Sequence, residues 1–206
     1  MAHIGLLILL LVLCPQVAHA HGIGGAGGLA AGLKHPVLGL DHLLAMISVG
    51  IVSTQLGGRA VWMVPATFVF VMGIGGLVGM QSFSFWDINV IITIIEQGII
   101  CSVIILGLAI AFDKKVPIWT AMLACGFFGF FHGFAHGVEI PSITVSLPYI
   151  VGFMTSTAAL HLLGVAIVEG AKKYQHGMVA LRYAGAAIFG IGLHIEYELM
   201  SLTFGF

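Results

Sequence analysis

Charge is what this sequence has least of. Asp, Glu, Lys and Arg make up 7% of 206 residues, where soluble domains carry about a quarter. The apolar share is 60% and the mean hydropathy +1.14. Such a chain cannot surround its core with a polar shell, and it reads as an integral membrane protein. Net charge is −1 with no basic block, so no nucleic-acid partner is expected. Cysteine is scarce too. Of the three, Cys14 lies in a leader, and Cys101 and Cys125 lie in apolar runs. Lone thiols there are packing residues and form no disulfide framework. The chain also lacks a GxxxxGK[ST] phosphate loop, so it holds no visible ATPase.

What is there begins with an apolar run from Ile4 to Cys14, too short for a bilayer that needs about 20 residues. It ends at Pro15, and Ala18-His19-Ala20 is an A-x-A cleavage signal. We expect a secretory signal peptide over residues 1–20, although no Lys or Arg precedes the run. Cys14 follows Leu13 rather than a small residue, which argues against a lipoprotein anchor. The mature chain would begin at His21, outside the membrane. Residues 21–36, rich in Gly, are expected to form a flexible outer arm.

Apolar segments near 37–56, 61–80, 88–112, 117–137, 147–169 and 178–199 are each long enough to span. In hydrocarbon the backbone must satisfy its own hydrogen bonds, so these are helices. The expected fold is an all-α integral membrane protein, a six-transmembrane-helix bundle over 37–206 behind a cleavable signal peptide. Loop charge sets its orientation. Arg59, Lys114, Lys115, Lys172, Lys173 and Arg182 fall on one side, which should face the cytoplasm. Asp87, Glu139, Glu196 and Glu198 fall on the other, with both mature termini; only Lys34 breaks the pattern.

Two glycine series, Gly75/Gly79 and Gly129/Gly133/Gly137, read as packing seams. The second lies one residue, about 100°, from His132 and His136. A helix packed on it could bring ligands beside those histidines.

An ionisable side chain at mid-helix costs about 2.5–3.5 kcal/mol on insertion scales, so several in one chain indicate use. In "HPVLGLDHLLAM", 35–46, Pro36 suits a first helical turn, and His35 and His42 share a face, with Asp41 beside them. In "FHGFAHGVE", 131–139, His132 and His136 are one turn apart and Glu139 continues the stripe. With alternating spans, both sets fall at one depth, toward the outside. Imidazole with carboxylate suits a divalent transition metal such as Ni, Co or Zn. The carboxylate can ligate, orient a His or accept a proton. Glu96, His161, His194, Glu196 and His21 are further pathway residues of lesser weight. Met46, one turn past His42, is read as packing.

"HPVLGLDH" and "FHGFAHGVE" together resemble the HupE/UreJ family of bacterial nickel and cobalt permeases, as do the leader and the six helices. The likeness covers essentially the whole chain. Carried over residue by residue, it implies metal roles for His35, Asp41, His42, His132, His136 and Glu139. The five-residue spacer between His35 and Asp41 matches this family rather than other secondary nickel–cobalt permeases, whose spacer is four. Phe134 departs from the familiar pattern, where a more polar residue stands. The implied activity is import of Ni²⁺ or Co²⁺ across the bacterial inner membrane, driven by membrane potential or an ion gradient. No prosthetic group and no catalytic residue is expected; the partners are the metal substrate and the bilayer, and the sequence identifies no protein partner. The alternative is an intramembrane zinc-dependent hydrolase with Glu139 as general base.

Overall fold

The computed structural model describes residues 28–81, 88–139 and 143–205, without the side chains of Glu139, residues 143–146 and Phe204. The expected signal peptide and His21 lie outside the described residues. Seven helices run through the rest: α1 Gly28–Leu38, α2 Leu40–Leu56, α3 Ala60–Gly79, α4 Ile88–Phe112, α5 Ile118–Glu139, α6 Ile143–Ala171 and α7 Gly177–Phe204. No strand occurs among the described residues. Helices α3 to α7 are each long and apolar enough to cross a membrane, and α1 with α2 passes the same test as one bent pair, a sixth span when the two are counted together. The all-α membrane bundle is as expected, with span ends shifted by a few residues.

The first span differs most. Instead of one helix from 37 to 56, the chain bends by 81° between α1 and α2. Gly39 makes the break with an extended backbone, φ −82° and ψ 115°. Pro36 stands in the last turn of α1 rather than at a helix start, and having no N–H it cannot close a bond to the turn before it. The 17 residues of α2 rise only about 25 Å, short of a hydrocarbon core of about 30 Å. The bend leaves α1 as an angled cover on the end of α2.

From Gly28 onward the Gly-rich segment is therefore helix and not a loose arm. Its glycines serve close approach. A Cβ on Gly32 would drive into the Tyr149 carbonyl of α6, and one on Gly152 into the Leu29 carbonyl of α1. Farther along, Gly50 of α2 and Gly164 of α6 meet backbone to backbone in the same way. Both pieces of the broken span thus dock on α6.

The two series singled out in the sequence face each other. Cβ atoms on Gly133 and Gly137 would strike the carbonyls of Met72 and Gly76, and those on Gly75 and Gly79 the carbonyls of Phe130 and Phe134. The seam thus joins α3 to α5. The helix packed there brings no ligand to the histidines, contrary to the expectation, because the metal-type residues of the first span arrive from another side. Helices α4 and α7 form the third intimate pair, at Gly107, Gly185 and Gly192. The bundle is three glycine-matched pairs: α1–α2 with α6, α3 with α5, and α4 with α7.

Cationic side chains close one end of this bundle. Lys115 Nζ donates to the carbonyls of Gln55 and Leu56, the last turn of α2. Arg182 Nε donates to the Ala111 carbonyl at the end of α4, 2.8 Å away. Positive charge at a helix C-terminus answers both the open carbonyls and the macrodipole. Gln55 Nε2 adds a bond to the Ile110 carbonyl at 3.2 Å. The three loops rich in Lys and Arg therefore meet at the end away from His42.

Backbone contact of this kind leaves no space for a methyl group. Gly133→Ala should destabilise the detergent-solubilised protein by about 1–3 kcal/mol, the usual cost of overpacking. Gly190→Ala, with nothing within 4 Å of its Cβ, should stay within about 0.5 kcal/mol of wild type. Thermal unfolding of both variants checks this, and equal behaviour would refute the α3–α5 seam.

Candidate metal centre

Four histidines and an aspartate gather at the junction of α1, α2 and α5. His35 stands near the end of α1, four residues before the break. Asp41 and His42 lie in the first turn of α2, while His132 and His136 lie one turn apart on α5. Ring centroids are 4.5 Å apart for His35–His136, 4.9 Å for His136–His42, 5.0 Å for His42–His132 and 6.0 Å for His35–His42. His42, His132 and His136 are 0%, 0% and 3% exposed; His35 is half-buried.

Asp41 is the buried carboxylate of the group. Its Oδ1 accepts from the His42 ring at Nδ1, 2.9 Å away, and from the His42 backbone N–H at 2.8 Å. The Gly39 break makes this position a helix N-terminus, whose partial positive charge favours a carboxylate. Were α1 and α2 continuous, Asp41 would sit in mid-helix without that help. One local feature, a glycine in extended conformation, thus holds the acid and bends the span.

Hydrogen-bond partners assign the ring tautomers. His42 gives its Nδ1 proton to Asp41, so its Nε2 carries a lone pair. That nitrogen is 3.0 Å from His136 Nε2, which donates. His132 donates from Nδ1 to the Phe128 carbonyl, one turn back, at 2.9 Å. Its own Nε2 is buried and has no hydrogen-bond partner. The arrangement leaves His132 Nε2 open, while the His42 Nε2 lone pair accepts from His136, and the rings of His42 and His132 are in contact. A carboxylate behind a histidine is the usual way to fix which nitrogen meets a metal.

The cluster is not a finished cage. Among the described residues, no three His, Cys, Asp or Glu side chains stand ready around one point. The reason is visible in the bonds, because His136 is turned onto His42. A shift of the His136 proton to its other nitrogen would free two Nε2 atoms 3.0 Å apart. At bond lengths of about 2.1 Å, two imidazoles at right angles about a metal are also separated by about 3.0 Å.

The remaining sequence expectations separate. Glu139 closes α5 three residues past His136; its side chain lies outside the described residues. Glu96 is half-buried on α4, beside Ile95, which packs with Phe134 and Ala135 of α5. His194 and Glu196 are on α7, where exposed His194 faces Glu198 at 3.5 Å. His161 is buried on α6 and touches Phe68, at 5.2 Å between ring centroids. Phe68 also lies 5.4 Å from His132.

Sequence reasoning missed the aromatic walls. Phe153 packs on His136 at 4.1 Å and on His35 at 6.1 Å, with Tyr149 6.0 Å from His35. Phe68, Tyr149 and Phe153 sit in apolar runs where aromatic residues are ordinary, so nothing in the pattern marks them.

A multi-pass helical bundle with a buried His/Asp cluster at one end is the class of protein that these observations define. Residues 8–195 match the family model described as "HupE / UreJ protein". The chain is 40% identical over 174 residues to "Protein HupE" of Rhizobium leguminosarum bv. viciae, covering 84% of this chain and 87% of that protein. No solved structure matches. The chain therefore belongs to the HupE/UreJ family, and its multi-pass helical architecture agrees with the permease that the resemblance implied.

If Asp41 fixes the His42 ring, its loss should weaken metal binding without removing a ligand. Asp41→Asn is expected to lower the Ni²⁺ affinity of purified protein by about 10- to 100-fold. Isothermal titration checks this; unchanged affinity would separate Asp41 from the metal site.

Proposed function

We propose that this protein imports a divalent transition-metal ion, Ni²⁺ in first place and Co²⁺ second, across the bacterial inner membrane. The observation that carries the reading is the His42–His136 contact, which joins the two motifs of the first and fourth spans inside the bundle. His35, Asp41, His42, His132, His136 and Glu139 form the binding region. His132 offers its Nε2 lone pair first, and the Nε2 atoms of His42 and His136 join once the hydrogen bond between them has parted. Asp41 holds His42 in the binding tautomer and supplies negative charge toward the cation. Glu139, at the end of α5, belongs to the mouth.

Neutral imidazole with carboxylate and no thiolate suits a site that must release what it selects. Orientation follows the cationic end, where Lys115 and Arg182 bind the last carbonyls of α2 and α4, with that end in the cytoplasm. The His cluster then faces outward, as do the N- and C-termini. Two charges moving inward through 100 mV gain roughly 4.6 kcal/mol, from about 2.3 per charge. That favours accumulation by more than about a thousandfold.

Cells lacking their own nickel importer should take up ⁶³Ni²⁺ when they carry this protein. His42→Ala and His136→Ala should each cut the initial rate by at least about tenfold at equal expression. Nickel binding by the wild type without any uptake would sink the import reading in favour of the zinc-hydrolase alternative.

A further inference from the structure

Helix α6 carries a second polar group that the outer cluster does not use. His161 is 2% exposed, and neither ring nitrogen has a hydrogen-bond partner. Thr157, one turn earlier and so on the same face, is 0% exposed, and its hydroxyl also has no partner. Buried polar groups are normally satisfied, and each exception asks for a reason.

Thr157 stands apart among the described threonines as the one whose buried hydroxyl lacks a partner. Thr54, Thr67, Thr93, Thr155 and Thr203 donate to the carbonyl four residues back, at 2.7–2.9 Å. That is the default for a hydroxyl in a membrane helix. Buried Thr157 has no such bond. Its hydroxyl and the His161 ring are polar groups held in an apolar interior and left open.

Their position is equally specific. Phe153, Thr157 and His161 form one stripe on α6. Its first member packs on His136, at 4.1 Å. Its last touches Phe68, whose ring also touches His132. Eight residues separate the ends of the stripe, about 12 Å of helix rise. The stripe therefore leads from the outer cluster toward the middle of the bundle, where the His161 carbonyl lies against Gly50 of α2.

We propose that Thr157 and His161 form a second, transient station for the transported ion, inward of the outer cluster. This inference rests on the import reading and deepens it. A neutral imidazole offers one lone pair to the ion. The Thr157 oxygen accepts a hydrogen bond from a water still on the ion, or ligates it directly. One imidazole and one hydroxyl bind a partly hydrated divalent cation far less tightly than three imidazoles do, so the ion can leave again. A gradient from a tighter outer site to a looser inner one is what conduction requires.

The test uses full-length protein, purified for Ni²⁺ titration and reconstituted in vesicles for ⁶³Ni²⁺ uptake under an inside-negative potential. His161→Ala and His161→Gln should bind Ni²⁺ within about twofold of wild type, because the outer cluster is intact, yet lose at least about tenfold in initial uptake. Thr157→Val, which removes only the hydroxyl, should lose uptake in the same direction with binding kept. A merely structural role for His161 would not split binding from transport.

Wild-type uptake rates in either His161 variant would overturn the station. So would joint loss of binding and uptake in stably folded His161→Gln, which would place His161 in the outer site. If neither His161 variant accumulates in the membrane, Thr157→Val decides alone, and wild-type uptake in it refutes the proposal. Failure of the import reading looks different, since the wild-type protein itself would then move no nickel.

Discussion

Everything near the histidines depends on glycine letting helix backbones touch. Gly75, Gly79, Gly133 and Gly137 place α3 and α5 so close that carbonyl oxygens occupy the space of missing side chains. That contact sets both the depth and the rotation of α5. With Gly133 and Gly137 turned toward α3, His132 and His136 point about 100° away, toward α2. Lipid tails provide no hydrophobic drive between helices, so close packing of this kind must do what apolar burial does in water. A second contact of the same type, Gly32 and Gly50 against α6, delivers His35, Asp41 and His42. The site is assembled where the two seams hold their helices at one level.

The pairing has a symmetry of its own. Counting the broken helix as one span, the pairs are first with fifth, second with fourth, and third with sixth. Replacing each span by the one three places later maps these pairs onto themselves. The two halves of three spans therefore make equivalent partnerships at their closest contacts. The lesser contacts do not follow the rule: among the described residues α2 packs closely on α4, while α5 and α7 make no contact of comparable extent.

Much of this was legible in the sequence, for a reason particular to membranes. Ionisable residues are so expensive in hydrocarbon that His35, Asp41, His42, His132 and His136 announced themselves, and loop charges sorted the ends. Helical spacing put His132 and His136 on one stripe, and the structure brings that stripe to His42. The break at Gly39 was not legible, because an apolar run with a glycine also suits a straight helix. Nor was the partner of the α5 seam, since a small-residue series says that something packs closely and not what. Phe68 and Phe153 were hidden because an aromatic in an apolar helix costs nothing and so carries no signal. Thr157 escaped for the opposite reason: threonine in a membrane helix ordinarily satisfies itself, and only the geometry shows that this one does not.

Under the proposed import reading, the bond between His42 and His136 would also act as a sieve. The two imidazoles hold each other at 3.0 Å, so a cation would gain entry only by offering their nitrogens something better than a proton shared between rings. Magnesium and calcium prefer oxygen ligands, and magnesium surrenders its water reluctantly. Sodium and potassium bring too little charge to compete. Ions late in the first transition row bind imidazole strongly enough to part the pair. On that reading, abundant cations would be turned away by a contact between two side chains, before any of them reached the interior.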